Sequence, residues 1–265
     1  MCSRLHIGTH IMPHQPDLQP FLNRLTRRSV LSATEQQAIL NLPTHAAQVR
    51  ANHDFVRLGE VVSHACVIVD GIAGRFGQNA DGERQITALH IAGDAADLHS
   101  VVQPKSASAL QALSTVTLVR VPHQALRAIA GQYPAIAEAF WRDCVVDASV
   151  ISQWVVNVGR RDAKVRIAHL LCEMAVRYQI DVQSDAILFE FPLTQVHIAD
   201  ATGLTSVHVN RTLMSLRDDG VVFLAQRMVH ILDWAGLARL GEFDAGYLQN
   251  GTEPEERLSL AAAAE

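Results

Sequence analysis

The sequence predicts an α+β chain: an antiparallel roll of short strands, then one long helix, then a helix-turn-helix with a β-hairpin behind it. Three observations carry that expectation. Short apolar runs broken by turn residues fill Phe55 to Val121, helix-period apolar residues run from Tyr133 to Val158, and LTQVHIADATGLTSVHVNRTLMSLRDDG, from Leu193 to Gly220, splits into two helical patterns about one glycine.

Residues 1–20 hold His6, His10 and His14 at four-residue spacing, which on a helix would align three imidazoles. Pro13 and Pro16 oppose a helix there, so a disordered extension with no built metal site is expected. Residues 21–132 form the expected roll with flanking helices. Its turn signals include Asp70-Gly71 after Val67-Ile68-Val69, then Asn79-Ala80-Asp81-Gly82 and Gly93-Asp94.

The long helix is expected over residues 133–158. Pro134 suits a first turn, and Phe140, Cys144, Ala148, Ile151, Val155 and Val158 recur at steps of four and three. Such a seam fits a second copy of the same helix, although packing against the chain's own roll gives the same stripe. Gly159 is expected to end this helix and open a unit of residues 159–240, which starts with an amphipathic helix over Lys164 to Tyr178.

In the helix-turn-helix, Val196, Ile198 and Ala199 are expected to face inward from the first segment, and Val209, Leu213 and Leu216 from the second. Thr194 and Thr205 stand where N-caps are wanted, and Gly203 where the first helix must end at positive φ. Ser206, Val207, Asn210 and Arg211 then point outward near the start of the second helix, at base-reading positions. Asp218-Asp219-Gly220 precedes two apolar runs, Val221 to Leu224 and Met228 to Leu232, joined at Gln226-Arg227; these read as a hairpin wing.

The net charge of −5 does not oppose nucleic-acid binding, because the deficit is local. Residues 1–158 hold 12 basic and 12 acidic side chains, residues 159–240 hold 9 and 9, and the acidic tail of residues 241–265 holds 1 and 6. Phosphate attraction acts over a Debye length of about 8 Å, so clustered cations suffice. Those available are Arg211, Arg217, Arg227 and the Arg160, Arg161, Lys164, Arg166 group. Cys2, Cys66, Cys144 and Cys172 make no C-x-x-C, so neither a zinc site nor a redox pair is signalled; Cys144 and Cys172 fall on apolar helix faces, where an inert thiol is expected. No apolar run reaches about 18 residues and none follows Met1-Cys2-Ser3-Arg4, so neither a membrane span nor a secretory signal is expected, and the location is read as cytoplasmic.

LTQ at Leu193 to Gln195, IADATGLT at Ile198 to Thr205, VNRTL at Val209 to Leu213 and the DDG before the wing resemble the winged helix-turn-helix of the Crp/Fnr superfamily of bacterial regulators. Gly59-Glu60, Gly71 and Gly93-Asp94 are similar to that family's pattern in its cyclic-nucleotide-binding-like β-roll, and the resemblance covers about four-fifths of the chain. It implies a homodimer joined by the long helix, double-stranded DNA with a palindromic operator and RNA polymerase as partners, and Arg211 reading a guanine. It also sets Thr194, Thr205, His208 and Arg227 beside phosphates. Arg211 bridging to Asp218 or to a phosphate is the alternative.

The resemblance places an effector pocket near Asp97 and His99, with Lys105, Ser106 and Ser108 as possible anion contacts. Yet Ala95 to Ser114 contains neither the Glu nor the Arg that a cyclic nucleotide needs for its ribose and phosphate, and Lys105 is a point charge without the bidentate fork. Control by cyclic AMP is therefore not expected. Only Cys2 stands where some relatives cluster cysteines for an iron–sulfur centre, so no cofactor is expected and the effector stays unnamed. The expected function is a sequence-specific transcription regulator and not an enzyme. The alternative is a ligand-binding or enzymatic roll whose C-terminal unit binds proteins, against which stands the lack of any Ser/His/Asp grouping, phosphate loop or useful carboxylate pair.

Overall fold

The computed structural model describes residues 18–184 and 187–250. His6, His10, His14 and Cys2 lie outside them, as does the tail beyond Asn250. Two short helices come first, α1 (Gln19–Thr26) and α2 (Ala33–Leu40). Ser32 starts α2 with a capping box, its hydroxyl accepting from the Glu35 amide while the Glu35 carboxylate accepts from the Ser32 amide.

The roll follows as β1 (His45–Val49), β2 (Asp54–Val56), β3 (His64–Asp70), β4 (Ala73–Gln78), β5 (Arg84–His90), β6 (Ala109–Ala112) and β7 (Val116–Pro122). They form two antiparallel sheets, ordered β1-β7-β3 and β2-β6-β4-β5. Val56, Cys66, Ile68, Leu110 and Leu118 fill the space between them. Gly71 turns β3 into β4 at φ +85°, where a Cβ would run into the Thr115 carbonyl oxygen, so the turn admits only glycine.

Helix α3 (His123–Gln132) leads into α4 (Pro134–Arg160), 27 residues or about 40 Å long. Its first half packs Ile136, Ala139 and Phe140 with α1 over the outer faces of β3 and β7. Its second half packs Val146, Val150 and Trp154 between the β4–β5 face and the C-terminal unit. That unit comprises α5 (Ala163–Arg177), β8 (Ile187–Glu190), α6 (Gln195–Thr202), α7 (Ser206–Asp218), β9 (Val222–Ala225), β10 (Met228–Ile231) and α8 (Trp234–Leu240). Its small antiparallel sheet runs β8-β10-β9.

Several expected boundaries move. Leu18 is buried and Pro20 lies within α1, so residues 18–20 belong to the packed structure and not to an extension. Helix α4 runs through Gly159 to Arg160; the break falls at Arg161, extended at ψ 151°, because Asp162 caps the next helix by accepting from the Lys164 and Val165 amides. Residues 241–250 are not tail: Tyr247 and Leu248 pack into the C-terminal core, and the Tyr247 hydroxyl donates to Glu173 at 2.8 Å. Strand β8 went unforeseen, since four residues carry too short a period to be read.

One buried network joins these parts. Asp94, in the Gly93-Asp94 turn after β5, pairs with Arg24 of α1 and with Arg177 of α5 at 2.6 Å, and its Oδ2 also accepts from the Ile91 amide. Arg24 and Arg28 both donate to Asp143 of α4, at 2.6 and 2.9 Å. Arg177 reaches on to Glu173, which also accepts from the Trp154 indole at 2.9 Å. Burial alone would raise the Asp94 pKa, but Arg24 and Arg177 outweigh it and hold the carboxyl down at about 2.

Asp94→Asn leaves two buried guanidinium groups short of a carboxylate and is expected to lower unfolding free energy by about 3–5 kcal/mol. The sign with pH follows from a folded pKa below the ordinary value of about 3.9: the contribution is whole above pH 4 and is lost as pH falls towards 2. Urea unfolding of both proteins between pH 3 and 7 checks this, and a variant that keeps the wild-type acid slope would contradict it.

Candidate nucleic-acid interface

Thr194 and Thr205 cap α6 and α7, each hydroxyl accepting from an amide three residues on, those of His197 and His208, at 3.2 Å. Gly203 leaves α6 at φ +64°, in the left-handed region that the spacing predicts. These devices aim α7. Val209, Thr212 and Leu216 bury one face of it, with Leu213 half-buried beside them. Val207, His208, Asn210 and Arg211 are exposed on the other, and Ser206 is half-buried at its start. Thus Ser206, Val207, Asn210 and Arg211 share the N-terminal outer face of one helix. Val196 is the exception among the expected core residues: it stands exposed at the start of α6, because the buried stripe there passes through Ile198, Ala199 and Ala201.

Gln195 was not singled out in the sequence, yet its amide donates to the Asn210 side-chain oxygen at 3.1 Å and fixes that amide's orientation. Only the fold shows the pairing, because the residues are fifteen apart and on different helices. Arg227 sits exposed at the tip of the β9–β10 hairpin, where both Gln226 (φ +51°) and Arg227 (φ +65°) take the left-handed conformation of a type I′ turn. Between wing and α7 lies a groove of about 290 Å³ bordered by Asn210, Arg217 and Arg227. Much of the Arg160-to-Arg166 cluster is structural: Lys164 pairs with Asp219, Arg161 with Glu242 at 3.1 Å, and Arg166 donates to the Thr202 carbonyl at 3.0 Å.

The expected effector residues do not form one site. Asp97 is buried and accepts from the Cys66 amide at 2.6 Å, burial raising its pKa to about 6. His99 is half-buried on the 3₁₀ turn Leu98–Val101, and burial lowers its pKa. Lys105 is exposed and bridges to Val61, while the Ser106 hydroxyl donates to the Ser108 carbonyl at 2.6 Å, so these three belong to a separate loop. A cation does enter beneath Asp97, from β4: Arg75 donates to the Ala96 carbonyl at 2.7 Å and pairs with Asp147 of α4 at 2.8 Å.

The stripe expected as a seam on α4 is in part covered by the chain itself. Phe140 is buried against Phe21 of its own chain and cannot serve an interface, Cys144 is half-buried against the same cluster, and Val158 is half-buried beside Gly203. Ala148 and Val155 are exposed and Ile151 is half-buried. The apolar side chains that α4 leaves open are Trp141, Val145, Val155 and Val156, between 44% and 66% exposed. The periodicity cannot distinguish the two stripes because both repeat every seven residues. Burial raises the Cys144 thiol to about 11 and the Cys172 thiol to about 12, which disfavours the reactive thiolate at both.

Residues 165–240 match the Crp-like helix-turn-helix domain family. The nitrogen fixation regulation protein FixK of Azorhizobium caulinodans is 30% identical over 210 residues, covering 79% of this chain and 84% of that one. The chain belongs to the Crp/Fnr superfamily. The fumarate and nitrate reduction regulatory protein of Vibrio cholerae is 21% identical over 192 residues, 72% of this chain and 76% of that one. Among solved structures, FixK2 from Bradyrhizobium japonicum superposes with a TM-score of 0.69 at 25% identity, covering 77% of this chain and all of that one. This Crp/Fnr chain is thus a DNA-binding transcription regulator and not an enzyme. Among the described residues no helix is long and apolar enough to cross a membrane.

Thr205→Ala removes the acceptor that starts the outward-facing helix of this Crp/Fnr fold and is expected to cost about 1 kcal/mol of stability. Urea unfolding measures it; no loss of stability would mean that the cap is idle.

Proposed function

We propose that the chain binds a palindromic operator as a homodimer and reads bases through Ser206, Val207, Asn210 and Arg211. The observation that carries this reading is the capped, outward N-terminal face of α7, where Arg211 is exposed and Asn210 is held by Gln195. An Arg fork fits guanine O6 and N7 and an Asn amide fits adenine N6 and N7, each worth about 1–3 kcal/mol of discrimination. Val207, at 70% exposure, suits a thymine methyl. Thr194, Thr205, His208 and Arg227 surround that face and are assigned to phosphates; each threonine hydroxyl accepts within its cap and keeps its O–H to donate.

The open stripe of α4, centred on Trp141, Val145, Ala148 and Val155, is assigned to the partner copy; Ile151 borders it. Control by cyclic AMP is not part of this reading. Ala95 to Ser114 lacks the needed acid and Arg, and Arg75, the cation that does approach, is already engaged by Asp147. RNA polymerase as a further partner and a cytoplasmic location complete it.

Selection of binding sites from random duplexes with Arg211→Ala tests the base reading. Relaxed preference at one symmetric pair of positions is expected, whereas a uniform loss with a shallower salt slope would assign Arg211 to phosphate. Val155→Glu places a charge against its symmetry mate at a cost of several kcal/mol while leaving the single chain's packing intact, since Val155 is 63% exposed. Sedimentation is expected to show wild-type dimers and folded variant monomers; a dimeric variant would remove this face from the interface.

A further inference from the structure

A cavity of about 250 Å³ opens where the roll meets the C-terminal unit, bordered by Arg24, Arg27 and Arg28 of the α1 region, Asp94 after β5, and Arg177 at the end of α5. Four guanidinium groups meet there. Asp94 is already engaged at both oxygens, Oδ1 by Arg24 and Oδ2 by Arg177 and the Ile91 amide. Asp143 is shared between Arg24 and Arg28, and Glu173 faces Arg177 from behind. Among the described residues, four cations at this cavity therefore share three carboxylates.

The surplus falls on Arg27 and Arg28. Arg28 is 7% exposed; among the described residues its Nε has no hydrogen-bond partner, and beyond Asp143 it reaches only the Asn250 side-chain oxygen at 3.3 Å. Among the described residues Arg27, half-buried on the same wall, makes no ion pair. Burial, with Arg24 close by, pushes the Arg28 pKa down to about 10 and lowers that of Arg27. A buried guanidinium with an unused N–H costs stability that an anionic acceptor recovers.

We propose that this cavity is a binding site for a compact oxyanion of the phosphate class, held by Arg27 and Arg28. The cavity is small, about 250 Å³, with room for a phosphate-sized anion and water. Paired N–H groups of a guanidinium match the oxygens of such an anion. The site lies apart from the DNA-facing side of α7 and does not depend on the dimer or operator reading. Because its walls come from α1, the turn after β5 and the end of α5, an anion there fastens the roll to the C-terminal unit.

Calorimetric titration of the full chain with inorganic phosphate tests the site, at ionic strength fixed with sodium chloride so that general salt effects cancel. Saturable binding at one site per chain is expected, with affinity reduced at least tenfold in Arg27→Gln, a half-buried position outside the ion pairs described, and further in Arg28→Gln. Arg211→Ala serves as the control on the DNA face and is expected to bind phosphate like the wild type. Absence of saturable binding to wild type overturns the proposal, as does equal binding by wild type and a folded Arg27→Gln; loss in Arg211→Ala alone would place the anion at the DNA face.

Discussion

The buried carboxylate of Asp94 is the constraint on which the rest of this molecule turns. It stands at a glycine turn of the roll and is neutralised from two directions, by a helix before the roll in sequence and by the first helix of the C-terminal unit. A single unpaired carboxylate in that position would cost several kcal/mol. The interaction therefore ties the presence of α1 and the docking of α5 to the integrity of the roll. Gly93 beside it has φ +92°, and a Cβ there would press on the Pro20 carbonyl at 2.8 Å, so the turn and α1 are fitted to each other. What reads in sequence as a family signature, Gly93-Asp94, is in space the joint between three segments.

The outward face of α7, proposed to meet DNA, rests on weaker and more local devices. Two threonine caps and one left-handed glycine set the direction of α7, each cap worth on the order of 1 kcal/mol, while the Gln195–Asn210 pair orients only the Asn210 amide. Such a surface tolerates exchange of its outward side chains, because none of Val207, Asn210 and Arg211 supports the core. The core beneath is carried by Val209, Thr212 and Leu216 with the wing behind them. In the proposed reading, base contact and core packing thus fall on opposite faces of one helix.

Much of this was legible in the sequence because it is local. The caps at Thr194 and Thr205, the turn at Gly203, the hairpin at Gln226-Arg227 and the long helix from Pro134 are decided within a few residues of themselves. The parts that were not legible are non-local. Which apolar stripe of α4 faces its own chain depends on where the roll lies, so the periodicity leaves open whether Phe140 packs inward and does not mark Trp141 as exposed. The arginines at 24, 28 and 177 acquire meaning only when chain segments 70 to 119 residues apart meet at Asp94 and Asp143. Residues 97 and 105 look adjacent in sequence yet serve different loops, because the chain between them turns away after the short 3₁₀ segment.

Helix α4 crosses from the roll to the C-terminal unit without interruption, and its exit at Arg161 is clasped on both sides, by Glu242 and through the Arg166 side chain that donates to the Arg161 carbonyl at 2.8 Å. A rod about 40 Å long acts as a lever. A tilt of about 5° at the roll end carries the far end through about 3.5 Å, which is close to the 3.4 Å rise of one base step along a DNA strand. If two such chains read one operator as proposed, the two readers would shift by a base step each; because Val146, Val150 and Trp154 pack this helix against the β4–β5 face, the tilt must carry that face with it, so operator spacing is coupled to the packing of the roll.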